Sequence, residues 1–394
     1  MKIEFLSEPV QCFYAPVTRA HSDHQASIFH HEVHKMQEKG AVTIEPPVHG
    51  QFLSSLFLVP KKSGELRPVI NLRPLNRHIA YQHFKMENIS SVKELLSAND
   101  WMTSIDLKDA YFTVPIHADH RKFLRFSWQN SIYQFTCLPF GLCSAPRVFT
   151  KIIKQVAATL REQGFRYVIY LDDILIMGTS HQICLDDTLH TVSLLQRLGF
   201  VINEEKSELV PTQKIVFLGF IVDSVRMSLA LSQDKIDRIV NHCQDTLSAT
   251  NVSVRELASL IGRLSSTIQA VLPAPIFYRN LQLDKISSLR RELNYESIVS
   301  LSPEAKQELE MWISYLQVWN GHSVLHHPPD LLIQTDASKR GWGACLDQAT
   351  VSGRWSLLEQ ENHTNYLELL AVFYALKSLL VHQRNVHVRI QMDS

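Results

Sequence analysis

The sequence predicts an α+β protein of several domains, on three observations. At 394 residues it exceeds one ordinary domain. Its apolar pattern changes along the chain, from short strand-like runs mixed with helices, to polar-faced helices, to a new strand–helix–strand series. Two separate groups of apolar strands end in aspartates. The boundaries fall at a histidine-rich leader over 1–50, a mixed region over 51–225, a helical module over 226–328 and a small α/β region over 329–394.

With 45% apolar and 20% charged residues, the chain can bury a large core and is no disordered polymer. Lys+Arg and Asp+Glu balance at 39 each, which excludes a uniformly basic nucleic-acid coat. The charge is nevertheless uneven. Between Gln51 and Lys85 stand Lys61, Lys62, Arg67, Arg73, Arg77 and Lys85 against Glu65 alone, a surface suited to polyanions. Six scattered cysteines without Cys-x-x-Cys spacing argue against a disulfide framework or zinc knuckle and point to a reducing compartment. Glu4 interrupts the first apolar residues, as no signal peptide would, and no apolar run approaches the ~20 residues of a membrane span. A soluble, intracellular protein is expected.

Taken in chain order, His30, His31, Glu32 and His34 fall one residue short of the His-Glu-x-x-His zinc spacing, so they read as a solvated helix face. From Phe52 to Asn76 two apolar segments flank a hairpin turn at Ser63-Gly64. Residues 101–106 form a strand ending in Asp106. Ser144 is placed to cap a helix with Pro146 in its first turn, Val148 to Leu160 at helical spacing and Gly164 after its end. Residues 167–171 and 174–177 read as strand, turn, strand around Asp172-Asp173. Asp186–Leu198 reads as helix, and Lys214–Val222 as a short hairpin. From Ser232 the helical module runs to about Leu316, broken by Pro273 and Pro275, and Pro328-Pro329 begin the last series.

The acidic pair demands an explanation. Adjacent carboxylates among core residues repel each other and are expensive to ionise. An Asp-Asp turn pointing to water is the plain alternative. Asp106, which also ends an apolar strand, tips the balance. Three acids at neighbouring strand tips form an oxygen-rich pocket for hard divalent cations such as Mg²⁺. Two such ions, ~4 Å apart, stabilise the attacking and leaving oxygens of phosphoryl transfer.

These residues resemble a family. Tyr170-Leu171-Asp172-Asp173 is similar to the Tyr-x-Asp-Asp box of reverse transcriptases. Val59 to Pro68 resembles the fingers hairpin, Ser104 to Phe112 the first catalytic-aspartate motif, and Leu138-Pro139-Phe140-Gly141 with Ser144-Ala145-Pro146 the template and nucleotide motif. Gly199 to Lys206 resembles the lysine motif, and Phe217-Leu218-Gly219-Phe220 the primer grip. The resemblance covers residues 52–222 in the family's order and implies a right-hand polymerase: fingers and palm over 51–225, a helical thumb and connection over 226–328. It implies that Asp106, Asp172 and Asp173 hold two Mg²⁺ ions (Mn²⁺ as a substitute) and that Lys61, Lys62 and Arg67 hold the triphosphate. Tyr111 would sit beneath the incoming sugar and exclude a 2′-hydroxyl, and Lys206 would protonate the leaving pyrophosphate. Phe140, in the nucleotide pocket, stands where retroviral members carry glutamine; retrotransposon members commonly carry an aromatic there. The implied partners are an RNA or DNA template with its primer, and dNTPs.

A second acidic series resembles the opening half of a ribonuclease H domain, a partial α/β fold over 329–394. Asp336 ends a strand, Glu368 lies on an apolar helix and Asp393 ends another strand, matching three acids of an Asp-Glu-Asp-Asp set that uses Mg²⁺. Glu368 has a structural alternative, closing a capping-box-like turn with Asn365 as N-cap. With the fourth acid absent from the sequence, weak or no ribonuclease activity and a loosely packed end are expected. Asp119 to Phe126, Gln134 to Gly141, and Asp336-Ala337-Ser338 with Gly341-Trp342-Gly343 most resemble DIRS-type retroelements, which carry a tyrosine recombinase. The alternatives are a catalytically silent, retroelement-derived nucleic-acid-binding protein and an RNA-dependent RNA polymerase. Tyr111 and the ribonuclease H-like region favour DNA synthesis.

Overall fold

The computed structural model describes the chain except residues 12–15, 17, 61–65, 325–327, 385 and 393–394, and the side chain at position 67. It divides into two compact units, residues 1–324 and 325–394. Among the described residues no helix is long and apolar enough to cross a membrane.

The first unit begins with helix α1 (Asp23–Glu38), capped by the Ser22 hydroxyl, which accepts from the Gln25 amide at 3.2 Å. Phe29 and Val33 turn inward, while His30, His31 and His34 stay exposed; His34 lies 3.2 Å from Glu38 across one turn. The histidine-rich helix is therefore a solvated face, as its spacing predicts. Strand β1 (Leu56–Pro60) pairs antiparallel with β2 (Leu66–Ile70), with Val59 opposite Arg67. The hairpin is present, and its turn at Ser63-Gly64 lies outside the described residues.

Five antiparallel strands form the central sheet: β3 (Trp101–Lys108), β4 (Arg166–Tyr170), β5 (Asp173–Gly178), β6 (Val201–Ile202) and β7 (Glu208–Thr212). Their order is β6–β3–β5–β4, with β7 also pairing to β3. The apolar run Ile174-Leu175-Ile176-Met177 is nearly continuous because both faces of this sheet are covered. Ile174 and Ile176 join one core cluster with Phe149, Ile153 and Leu160, and Leu175 and Met177 join another with Phe217, Ile239 and Trp312. The first cover is helix α2 (Ala145–Glu162) with α3 (His181–Arg197), and the second includes α4 (Gln233–Ser248) and α5 (Pro303–Trp319) of the helical module.

Several ends differ from expectation. β3 runs past Asp106 to Lys108 because Val201 and Ile202 pair with Lys108 and Leu107. α3 starts at His181, ahead of Asp186, because the Ser180 hydroxyl accepts from the Ile183 amide. Ser144 precedes α2 in a helical conformation and makes no capping bond. The Ala145 amide is already bonded to Leu142, so the preceding turn runs into the helix.

In the second unit, β8 (Leu331–Ala337) pairs antiparallel with β9 (Gly341–Leu346) and parallel with β10 (Val388–Gln391), and helix α6 (Thr364–Leu379) packs on the sheet. Its core is small: Ile333, Ala344 and Ala375 in one cluster, Trp355, Leu367 and Ala371 in another.

Candidate active site

The hairpin β4–β5 turns in two residues, Leu171-Asp172, with Tyr170 opposite Asp173. Leu171 has φ +55°, a left-handed conformation that a side chain with a Cβ rarely takes in so tight a turn. The strain is tolerated because both flanking strands are locked in the sheet.

Across the sheet, Asp173 stands opposite Asp106 of β3. The Asp106 amide donates to Ser207 Oγ (3.0 Å) and its carbonyl accepts from the Asn203 amide (2.9 Å), so both backbone groups point away from β5. The Asp106–Asp173 pair therefore lacks mutual backbone bonds, the arrangement in which facing side chains approach most closely, with Cβ atoms about 4.5–5.5 Å apart. On the next position the Leu107 amide donates to the Asp172 carbonyl (2.9 Å), which fixes the turn residue beside the pair. The structure thus sets the backbone positions of Asp106, Asp172 and Asp173 side by side.

Electrostatics record the crowding. Burial, then the neighbouring Asp172 and Asp106 charges, push the Asp173 carboxyl up to about 6. Burial raises Asp172 as well, with Asp106 adding to the rise and the Lys206 ammonium opposing it. Lys206 is exposed, in the segment after β6, and its field reaches both acids of the turn. Tyr111 is buried at 8% exposure, its ring centroid 4.8 Å from that of Phe140 and 5.4 Å from that of Phe149. Burial and the negative charge of Asp172 push its phenol up to about 12, so it stays neutral beside the acids. Phe140 is 48% exposed and presents an open aromatic face above Tyr111. Arg67 lies on β2; Lys61 and Lys62 are outside the described residues.

Asn203 lies in the segment Gly199 to Lys206, in which the sequence singles out only Lys206. Its side-chain amide donates to Asp106 Oδ1 at 2.7 Å, from a position 97 residues away. Nothing in the sequence pairs the two positions; only the antiparallel return of β6 along β3 does.

In the second unit, Asp336 is exposed on β8, on the face opposite Ile333 and Thr335. Glu368 is buried, at 4% exposure, on α6. The helix cap is His363, whose ring accepts from the Asn365 amide, so Asn365 is inside the helix and Glu368 lies beyond its first turn. The capping-box alternative for Glu368 is thereby corrected. Asp393 is outside the described residues.

The three carboxylates are hard oxygen donors on neighbouring positions of the sheet and its turn, and they repel one another, the donor chemistry that Mg²⁺ or Mn²⁺ takes. Among the described residues no three Asp, Glu, His or Cys side chains already converge as a closed ligand set.

Comparison with known proteins places the sequence among relatives of one kind. The family model described as reverse transcriptase (RNA-dependent DNA polymerase) matches residues 59–222. The chain is 24% identical over 405 residues to the enzymatic polyprotein of cauliflower mosaic virus (strain Strasbourg), covering 97% of the chain and 54% of that polyprotein. It is 25% identical over 342 residues to the transposon Tf2-3 polyprotein of Schizosaccharomyces pombe, covering 82% of the chain and 24% of the polyprotein. The chain spans about half the length of the first of these relatives, or less of the second. Among solved structures, the foamy viral protease–reverse transcriptase in complex with dsDNA superposes with a TM-score of 0.69 at 17% identity, over 100% of this chain and 79% of that one. The same enzyme in complex with an RNA/DNA hybrid gives 0.64 at 17% identity, over 96% and 50%. The fold is that of the right-hand polymerases.

Proposed function

We propose that the reverse transcriptase domain carried by residues 59–222 works as an RNA-directed DNA polymerase of a retroelement, adding dNTPs to a primer 3′-hydroxyl on an RNA or DNA template. The observation that supports this reading is the backbone placement of Asp106, Asp172 and Asp173 as neighbours on two paired strands and their turn. Asp106, Asp172 and Asp173 would hold two divalent ions, whose bound charge would neutralise the acids and stabilise the attacking and leaving oxygens. Lys61, Lys62 and Arg67 would grip the triphosphate, as the basic composition of that hairpin supports. Lys206, already within electrostatic reach of the acids, would deliver the proton that the departing pyrophosphate takes up. Tyr111 would form the floor under the sugar and Phe140 its wall, a reading supported by the contact of the two tilted rings and by the Asp172 charge felt at Tyr111. Most of the rate enhancement would come from positioning and charge stabilisation.

For the second unit the reading is a ribonuclease H-like fold in which Asp336, Glu368 and Asp393 supply three acids. The motifs Asp119 to Phe126 and Asp336-Ala337-Ser338 support a DIRS-type origin. Primer extension on an RNA template with Mg²⁺ tests the main reading: the wild type extends and Asp172→Asn does not. Equal extension by both would remove the site assignment. Template binding without extension by the wild type would make the chain a silent nucleic-acid-binding relative.

A further inference from the structure

We infer that Asn203 is a positioning residue for Asp106, its side-chain amide pinning one carboxylate oxygen so that the remaining lone pairs face Asp172, Asp173 and a shared cation. The inference deepens the polymerase reading and rests on it.

Four hydrogen bonds shape this corner, three between the two segments and one within the 203–207 turn. The Asn203 amide donates to the Asp106 carbonyl (2.9 Å), and the Asp106 amide donates to Ser207 Oγ (3.0 Å). Ser207 Oγ donates in turn to the Asn203 carbonyl (2.8 Å). These three involve the Asp106 backbone or close the Asn203–Ser207 turn, and they account for where the strand runs. The fourth, Asn203 Nδ2 to Asp106 Oδ1 at 2.7 Å, is of another kind, because it holds the reactive group itself.

The chemistry of the donor matters. A carboxylate left free beside Asp172 and Asp173 swings away from them, since like charges at this spacing repel. A lysine or arginine partner would stop the swing but would also neutralise the carboxylate and compete with an incoming cation. A neutral amide fixes one oxygen and leaves the negative charge available. The amide acts in the way partners of metal-binding side chains generally do, by setting ligand orientation before the ion arrives. Asn203 is partly buried, so its amide is held by the turn rather than free in solvent, and Ser207 keeps that turn closed.

The test separates orientation from folding. Asn203→Ala removes Nδ2 and keeps every backbone bond of the turn. It is expected to keep the wild-type melting curve in chelator and the wild-type affinity for template–primer. It should raise the Mg²⁺ concentration for half-maximal extension by about tenfold or more, and weaken Mn²⁺ binding, read by electron paramagnetic resonance without dNTP, by a similar factor. Asn203→Gln, which retains the donor on a longer arm, should recover part of both. If Asn203→Ala fails to fold, Asn203→Ser, whose hydroxyl is too short to reach Oδ1, takes its place with the same expected shifts. Wild-type Mg²⁺ dependence and Mn²⁺ affinity in the folded variant, while Asp106→Asn abolishes extension, would overturn this inference alone. Unimpaired extension by Asp106→Asn would instead overturn the polymerase site on which it rests.

Discussion

At the scale of single residues, the acids and the buried Tyr111 ring make separable predictions. In the metal-free protein the Asp173 carboxyl titrates at about 6, against an ordinary value of about 4. A carboxyl whose pKa is raised by folding holds its proton more tightly in the native state. Stability from this group is therefore highest below about pH 4 and falls as pH rises toward about 6. Thermal melts in chelator at about pH 5 and about pH 7 should show the wild type losing more stability than Asp173→Asn across that interval. Parallel losses in the two proteins would contradict the assignment. Tyr111 gives the second prediction. Its ring is buried, in tilted contact with Phe140 and within reach of the Asp172 charge, and a 2′-hydroxyl would collide with it if the sugar lies against it. Tyr111→Val opens the space, and ribonucleotide incorporation relative to deoxyribonucleotide should rise by about tenfold or more in single-nucleotide addition. An unchanged ratio would place sugar selection elsewhere.

At the scale of elements, the structure joins pieces through polar groups with no local signature. Glu308 of α5 is only 5% exposed, yet its carboxylate accepts from Asn280 N (2.9 Å), Asn280 Nδ2 (3.0 Å) and Leu281 N (3.1 Å). These are the first-turn donors of the helix Arg279–Arg291, so one helix caps another. Glu308→Ala should leave those amides buried and unbonded and lower stability by about 2–3 kcal/mol in urea denaturation, with the helical module losing protection first. A loss below about 0.5 kcal/mol would mean that water replaces the carboxylate. Gly178 shows the same kind of dependence in backbone form. A Cβ there would lie 2.6 Å from the Cys184 amide nitrogen, so the close approach of β5 to α3 requires glycine.

At the scale of the whole molecule, the two units differ in how much apolar surface they bury. The central strands of the first unit lie between two extensive clusters, whereas the second has a few buried residues in two small clusters and leaves Leu369 and Phe373 63% and 55% exposed on α6. Small cores carry little net stability. Native-state hydrogen exchange should therefore find the amides of Leu331–Ala337 opening with a lower free energy than those of Trp101–Lys108 and Asp173–Gly178. Equal protection would show that the second unit gains stability from contacts beyond its own core. The sequence by itself determined the local events: the hairpin around Asp172-Asp173, the helix that follows Ser144, the exposed histidines of α1 and the identities of the three acids. Apolar period and turn chemistry act over a few residues, so they can be read along the chain. Tertiary structure alone decided that Asp106 faces Asp173, that Asn203 holds Asp106 from 97 residues away, and that Glu308 caps a distant helix. Those contacts depend on which strands lie side by side and on how helices pack, and both are settled by burial of the whole apolar set rather than by any one segment.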